Sequence, residues 1–390
     1  MRAARISVTS LVVALAACAD LSQGPPEEGA DMNRYVAMGT SLSMGVASDG
    51  VTSESQLSSW PALLAASEGL EFGLPLIASP GCRPPLVAPL SNLRRADNSL
   101  FTDPPTCAEN APGFALPEQN VAISGARAQD ATNTRPSTAG SNMLLYSRVL
   151  ADGQTQVSAM RSMNPTFVSV EFGAAELLPA LTGSRTGVTS FSDFASNYSS
   201  IVNSVSAGNT QALLVLLPAD VRDFPAIRTA AEMSSQRAAF AARNVSVNAN
   251  CDASTNYVTI TGKILPALIT GAVRAAAGLG PFDLSCADGP STDGVLTEAD
   301  ITALNTQVAQ MNTHISSRAD NNGFATFSLG VLYDTVKDGI PFNLATMLTS
   351  TTPFGNLMSL DGTHPSAAGQ AVLMNAAKSA IIQKYGSITK

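Results

Sequence analysis

The stretch "YVAMGTSLSMG", residues 35–45, decides how the chain is read. The apolar run Tyr35–Met38 stops at Gly39, and the small hydroxyl residues Thr40, Ser41 and Ser43 follow at once. An unbroken apolar run of this length suits a strand buried on both faces. Gly-Thr-Ser at its end has two readings. One is a strand-to-helix turn capped by a serine. The other is a nucleophile held where a strand of an open α/β sheet ends, the place where such sheets form their sites.

Val121–Ile123, Phe167–Phe172, Leu213–Leu217 and Phe324–Phe327 are further short apolar runs. Helical patterns lie between them. Phe191, Phe194, Tyr198, Ile201 and Val205 are spaced at helical intervals behind Ser190 and Asp193, a plausible capping pair. Ile301, Leu304, Val308, Met311 and Ile315 repeat that spacing after Thr297 and Asp300, and Ala367–Tyr385 is an Ala-rich helix. Strands alternating with helices predict a doubly wound α/β domain with a parallel sheet. Two regions interrupt the pattern and read as insertions on that domain: a Pro-rich stretch near 75–118 and a stretch near 245–295 around the apolar segment Ile264–Val273.

The bulk numbers narrow the classes of function. The chain has 390 residues, 45% of them hydrophobic, which is ample for a large core. A net charge of −8 and the lack of any Lys/Arg block argue against nucleic acid as a partner. Arg2 and Arg5 precede an apolar run, Ile6–Ala17, too short to span a membrane comfortably. It ends in Leu15-Ala16-Ala17-Cys18, which resembles a bacterial lipobox. The expectation is a signal peptide over 1–17, lipidation of Cys18, a flexible Pro/Gly-rich tether over 18–32 and one folded domain over 33–390. Ala19 after the cysteine suggests the outer membrane, with the acyl chains anchoring a soluble domain.

Setting Cys18 aside leaves Cys82, Cys107, Cys251 and Cys286. An even number in an exported chain predicts two disulfides, and of the three pairings the short-range one is preferred, Cys82–Cys107 with Cys251–Cys286. A zinc site is disfavoured, because no CxxC occurs and the chain has only two histidines.

Those histidines decide where hydrolytic chemistry can stand, since a serine nucleophile needs a base and the base an orienting acid. His314 lies beside the apolar stripe of a predicted helix and reads as structural. His364, in "SLDGTHPSAAG", follows Asp361 by three residues. An Asp so placed can reach the imidazole Nδ1 and leave Nε2 for a serine. Ser43 lies further from the strand end than Ser41 and is the weaker nucleophile candidate. No G-x-S-x-G is present, which weighs against an α/β-hydrolase.

Taken in order, these segments resemble the SGNH/GDSL hydrolase superfamily over roughly residues 33–386, with long insertions. "MGTSLSMG" is similar to its first block, "NVAISGARAQD" to its second, "VSVEFGAAELL" stands at its third, and "SLDGTHPSAAGQAVL" is similar to its last. The resemblance implies a three-layer α/β/α flavodoxin-like fold and a Ser41–His364–Asp361 triad. It also implies an oxyanion hole drawing on the backbone N–H groups of Ser41 and Gly125, an ester substrate such as an acyl lipid or acylated carbohydrate, and no metal or other cofactor. The sequence departs from the family at two points. Thr40 replaces the usual Asp before the nucleophile, where a small effect is expected. Ala175 occupies the position of the third-block Asn, whose side chain donates to the oxyanion; Gln129 is a candidate substitute donor. Losing one such donor costs on the order of 10²–10³ in rate. Two other readings therefore stand beside an esterase: a weakened or non-catalytic lipid- or carbohydrate-binding lipoprotein on the same fold, and an acyltransferase.

Overall fold

The computed structural model describes residues 29–181, 185–290, 293–337 and 340–390. The expected signal peptide, Cys18 and most of the expected tether lie outside the described residues. The tether's expected end at residue 32 is corrected. Ala30 and Met32 are fully buried, and Ala30–Asp31 pairs in parallel with Ile388–Thr389, so the folded body already includes them.

The central sheet has four parallel strands, β1 (Tyr35–Gly39), β2 (Phe167–Glu171), β3 (Gln211–Leu216) and β4 (Ala325–Ser328), in the spatial order β4-β3-β2-β1. Every residue of β1 and β2 is buried, as strands covered on both faces are, including Ser169 and Glu171 of β2. The run expected as a strand at Val121–Ile123 lies alongside β1 but does not form a regular ladder. The Ala37 N–H donates to the Gln119 carbonyl at 2.9 Å, and Val121 and Ile123 donate to the Ala37 and Gly39 carbonyls at 2.8 and 3.1 Å. Counting this edge segment, the order along the sheet is 2-1-3-4-5 in chain order, the doubly wound flavodoxin-like arrangement.

Helices cover both faces. On one side lie α2 (Trp60–Ser67) and α7 (Ala367–Tyr385). Trp60 meets Phe327 of β4 edge-on at 5.5 Å, and the Tyr385 hydroxyl donates to the Ala212 carbonyl at 2.9 Å. On the other lie α3 (Ala128–Asn133), α5 (Phe191–Ser206) and α6 (Glu298–Asn322). The expected caps form: Ser190 Oγ accepts from the Asp193 N–H at 3.1 Å, and Thr297 and Asp300 make a reciprocal capping box.

Both disulfides pair at short range, Cys82–Cys107 and Cys251–Cys286. The first staples an irregular stretch whose only helical segment is the single 3₁₀ turn Leu90–Asn92. The second region starts earlier than the expected 245. Ile227–Thr229 pairs antiparallel with Tyr257–Thr259, which pairs with Val295–Leu296. With Val245–Val247, Phe282–Leu284 and the helix Leu265–Ala276, this region buries Val245, Leu268, Leu284 and Cys286 in a core continuous with that of the sheet.

Candidate active site

Ser41 opens α1 (Ser41–Met44) directly beyond the end of β1. Gly39 is required there by close approach: a Cβ would stand 2.7 Å from the Glu171 carbonyl on the neighbouring strand. The chain therefore turns tightly off the sheet and presents the next side chains at its carboxyl edge. As the first residue of a helix, Ser41 has an N–H with no intrahelical acceptor.

The Ser41 Oγ lies 3.0 Å from His364 Nε2, and His364 Nδ1 lies 2.7 Å from Asp361 Oδ2. All three side chains are largely buried, with Asp361 only 1% exposed. The C-terminal turn is held as a unit. Asp361 Oδ1 accepts from the Thr363 and His364 N–H groups, both at 2.9 Å, and from Ser359 Oγ at 3.2 Å. Oδ2 accepts from the Asp49 N–H at 2.6 Å as well as facing the imidazole. Burial alone would raise the Asp361 pKa, but the His364 charge and these donors bring it down to about 2. Burial likewise opposes charging His364. The carboxylate of Asp361, reinforced by Asp49 and Glu171, outweighs it and raises the imidazole above its ordinary value.

Several of these supports were not apparent in the sequence. Asp49 is clasped by Arg83 at 2.9 Å and by Arg95 at 2.6 Å, and the Arg95 side chain is 1% exposed inside the first insertion. The Tyr333 hydroxyl donates to the Thr363 carbonyl at 2.8 Å, fixing the loop between Asp361 and His364. Nothing local in "SDG" or "LRRAD" signals these partnerships, which join segments far apart in the chain.

Gly125 sits in a turn closed by the Ala126 N–H on the Ile123 carbonyl at 3.1 Å, with φ of +75°, a conformation that favours glycine. It lines a cleft of about 480 Å³ together with His364 and both cysteines of the first disulfide. The cleft is amphipathic, with Phe101, Leu144 and Leu145 on one hand and Ser141, Asn142 and Arg83 on the other. Ser41 opens into a much smaller recess of about 20 Å³, lined by Ala174, Ala175, Leu178, Phe224 and Tyr333.

Ala175 thus lies in the site, at the start of α4 (Ala174–Leu181), and brings no side-chain donor. Gln129 does not fill that role: it is exposed on α3 and lines neither cavity. Ser43 is fully buried, with its N–H on Glu171, and lines neither cavity. His314 is remote from the triad; its Nε2 is 3.0 Å from Ser199 Oγ, and its ring packs among Phe191, Phe194 and Tyr198. Thr40 is not idle, because its N–H and Oγ1 both donate to Glu171, at 2.9 and 2.8 Å.

No family model matches the chain, and no curated protein matches it. Solved structures with a similar course include the acetylxylan esterase Axe2 from Geobacillus stearothermophilus, at 9% identity, 91% of this chain and 95% of that one, with a TM-score of 0.38. Phospholipase A1 from Streptomyces albidoflavus aligns at 15% identity over 91% and 99% of the two chains, with a TM-score of 0.37. An extracellular lipase from Streptomyces rimosus aligns at 16% identity over 90% and 100%, with a TM-score of 0.36.

Proposed function

We propose that this protein is a serine ester hydrolase of the SGNH/GDSL type, selective for short acyl groups. The observation that carries the reading is the continuous Ser41–His364–Asp361 relay, at 3.0 and 2.7 Å. Such a relay supplies a nucleophile, a base and a group that fixes the base's tautomer.

In the reaction that follows, His364 Nε2 takes the Ser41 proton as Oγ attacks the ester carbonyl carbon. The C=O electron pair moves onto the carbonyl oxygen, toward the Ser41 and Gly125 N–H groups. Asp361 holds the Nδ1 proton and stabilises the imidazolium. Collapse of the intermediate breaks the bond to the alcohol, which leaves with the proton from Nε2. Water then attacks the acyl-enzyme with His364 again as base, releasing the acid and restoring Ser41. The recess beside Ser41, about 20 Å³, is enough for the methyl of an acetyl group. The larger cleft, which His364 also lines, suits the alcohol part, whose leaving oxygen receives its proton from His364 Nε2.

The test is hydrolysis of p-nitrophenyl acetate by the chain and by Ser41→Ala, with fluorophosphonate labelling alongside. Equal background rates and no labelling of Ser41 would overturn the reading. The absent side-chain donor at Ala175 favours a second reading, a ligand-binding protein on this fold. Labelling of Ser41 would count against it.

Anchoring through a lipidated Cys18, in the outer membrane, belongs to the same proposal and is supported by the Leu15–Cys18 pattern. Labelled palmitate should enter the protein expressed in bacteria and fail to enter Cys18→Ala; equal incorporation in both excludes it.

A further inference from the structure

Two buried carboxylates stand five positions apart, Glu171 and Glu176, and the reaction above uses neither. Glu171 is the last residue of β2, opposite Gly39 in the ladder, and is 1% exposed. Its Oε2 accepts from the N–H of Thr40 at 2.9 Å and of Ser43 at 3.2 Å, while Thr40 Oγ1 donates to Oε1 at 2.8 Å. One carboxylate therefore grips the nucleophile turn on both sides of Ser41. Glu176 lies in the first turn of α4 and is 0% exposed. Its Oε1 accepts from the Ala128 N–H at 2.6 Å. Ala128 begins α3, three residues after Gly125, so this bond ties the Gly125 turn to the same β2–α4 segment.

The two turns so gripped are those that would carry the backbone donors of the oxyanion hole. Between the two acids sits Ala175, which offers no side-chain donor. An oxyanion hole made of backbone N–H groups from two separate loops depends wholly on how those loops are placed relative to each other. A misplacement of about 1 Å can cost 10²-fold in rate. Isolated buried carboxylates are expensive to keep, and burial raises both of these to a pKa of about 7. Retaining two in one short segment calls for a return beyond packing.

We propose that Glu171 and Glu176 are positioning residues, which hold the Thr40–Ser43 and Gly125–Ala128 turns so that the Ser41 and Gly125 N–H groups converge on one oxyanion. The role needs acceptor oxygens in place rather than negative charge. A glutamine keeps one: at 171 its oxygen can take the Thr40 and Ser43 N–H groups while its amide donates to Thr40 Oγ1, and at 176 its oxygen can take the Ala128 N–H.

This inference rests on the ester-hydrolase reading, and the experiment separates the two. Steady-state hydrolysis of p-nitrophenyl acetate and the rate of fluorophosphonate labelling are measured for the full chain, Glu171→Ala, Glu176→Ala and the two glutamine variants. Circular dichroism verifies that each is folded. The alanine variants should lose on the order of 10²-fold in kcat, with KM within about threefold of the parent. Labelling should slow in parallel, and the glutamine variants should recover most of the loss. Where an alanine variant does not fold, its glutamine counterpart decides through labelling, which should then stay within tenfold of the parent. Folded alanine variants with unchanged kcat, or glutamine variants no better than alanine, overturn the positioning role and leave the hydrolase reading intact. A parent chain without Ser41-dependent hydrolysis or labelling overturns both.

Discussion

Replacing Asp361 by Asn probes the relay without changing its shape. Five donors converge on the Asp361 carboxylate: the N–H groups of Asp49, Thr363 and His364, the Ser359 hydroxyl and His364 Nδ1. An amide offers one acceptor oxygen and one NH₂ group. With its oxygen on the Thr363 and His364 side, the NH₂ confronts the Asp49 N–H and His364 Nδ1. The imidazole can adapt by accepting at Nδ1, which moves its proton to Nε2 and aims N–H at Ser41 Oγ, leaving no base. In the opposite orientation two backbone N–H groups lose their acceptor instead of one. Each costs about 1–3 kcal/mol when buried, so the first orientation prevails. The tautomer is then wrong and the stabilising charge is gone. The same exchange in a Ser-His-Asp triad lowers kcat about 10⁴-fold, which is roughly 5.4 kcal/mol of barrier at 1.36 per tenfold. Initial rates on p-nitrophenyl acetate should show this loss with KM little changed, in a protein that circular dichroism shows folded. The acid limb of the pH–rate profile should also shift to lower pH, because Asp361 is what raises His364. A kcat within tenfold of the parent and an unmoved acid limb would refute the reasoning.

The proposed mechanism requires neutral His364, and its raised pKa keeps the imidazolium to higher pH than an ordinary histidine. kcat/KM should therefore fall, as pH drops, through a midpoint above about 6.5; a midpoint below 6 contradicts this. The recess beside Ser41 should favour acetate over octanoate esters. Phe224→Ala, which removes a ring tilted against Tyr333 with centroids 4.5 Å apart, should raise the octanoate-to-acetate ratio about tenfold or more; an unchanged ratio would place the acyl chain elsewhere. Replacing both Cys82 and Cys107 by Ser opens a loop with a sequence separation of 25. The chain-entropy relation puts the loss near 3.5 kcal/mol. Because both residues line the cleft, KM should rise along with the fall in thermal midpoint; a shift in stability alone would mean that this wall does not meet substrate.

The sheet was legible because its signals are local. The unbroken apolar run Tyr35–Met38 suits a strand buried on both faces, and the caps at Ser190 and Thr297 reach only three residues ahead. The run Val121–Ile123 is apolar, but its irregular pairing with β1 depends on neighbours that no local signal reveals. The candidate triad was narrowed by scarcity: with two histidines in the chain and one of them on a helix stripe, Asp361 and His364 were left to stand opposite Ser41.

What the sequence by itself determined was therefore residue type, order and short-range spacing: which runs must be buried, which serine follows a strand, which histidine has an acid three places away. Only the tertiary structure decided what holds those groups in place. Asp49 reaches Asp361 across 312 positions, Glu171 reaches Thr40 across 131, and Glu176 reaches Ala128 across 48. A buried carboxylate carries no local mark of its partner, because the donors that make its burial tolerable come from whichever loops the packed sheet brings to it.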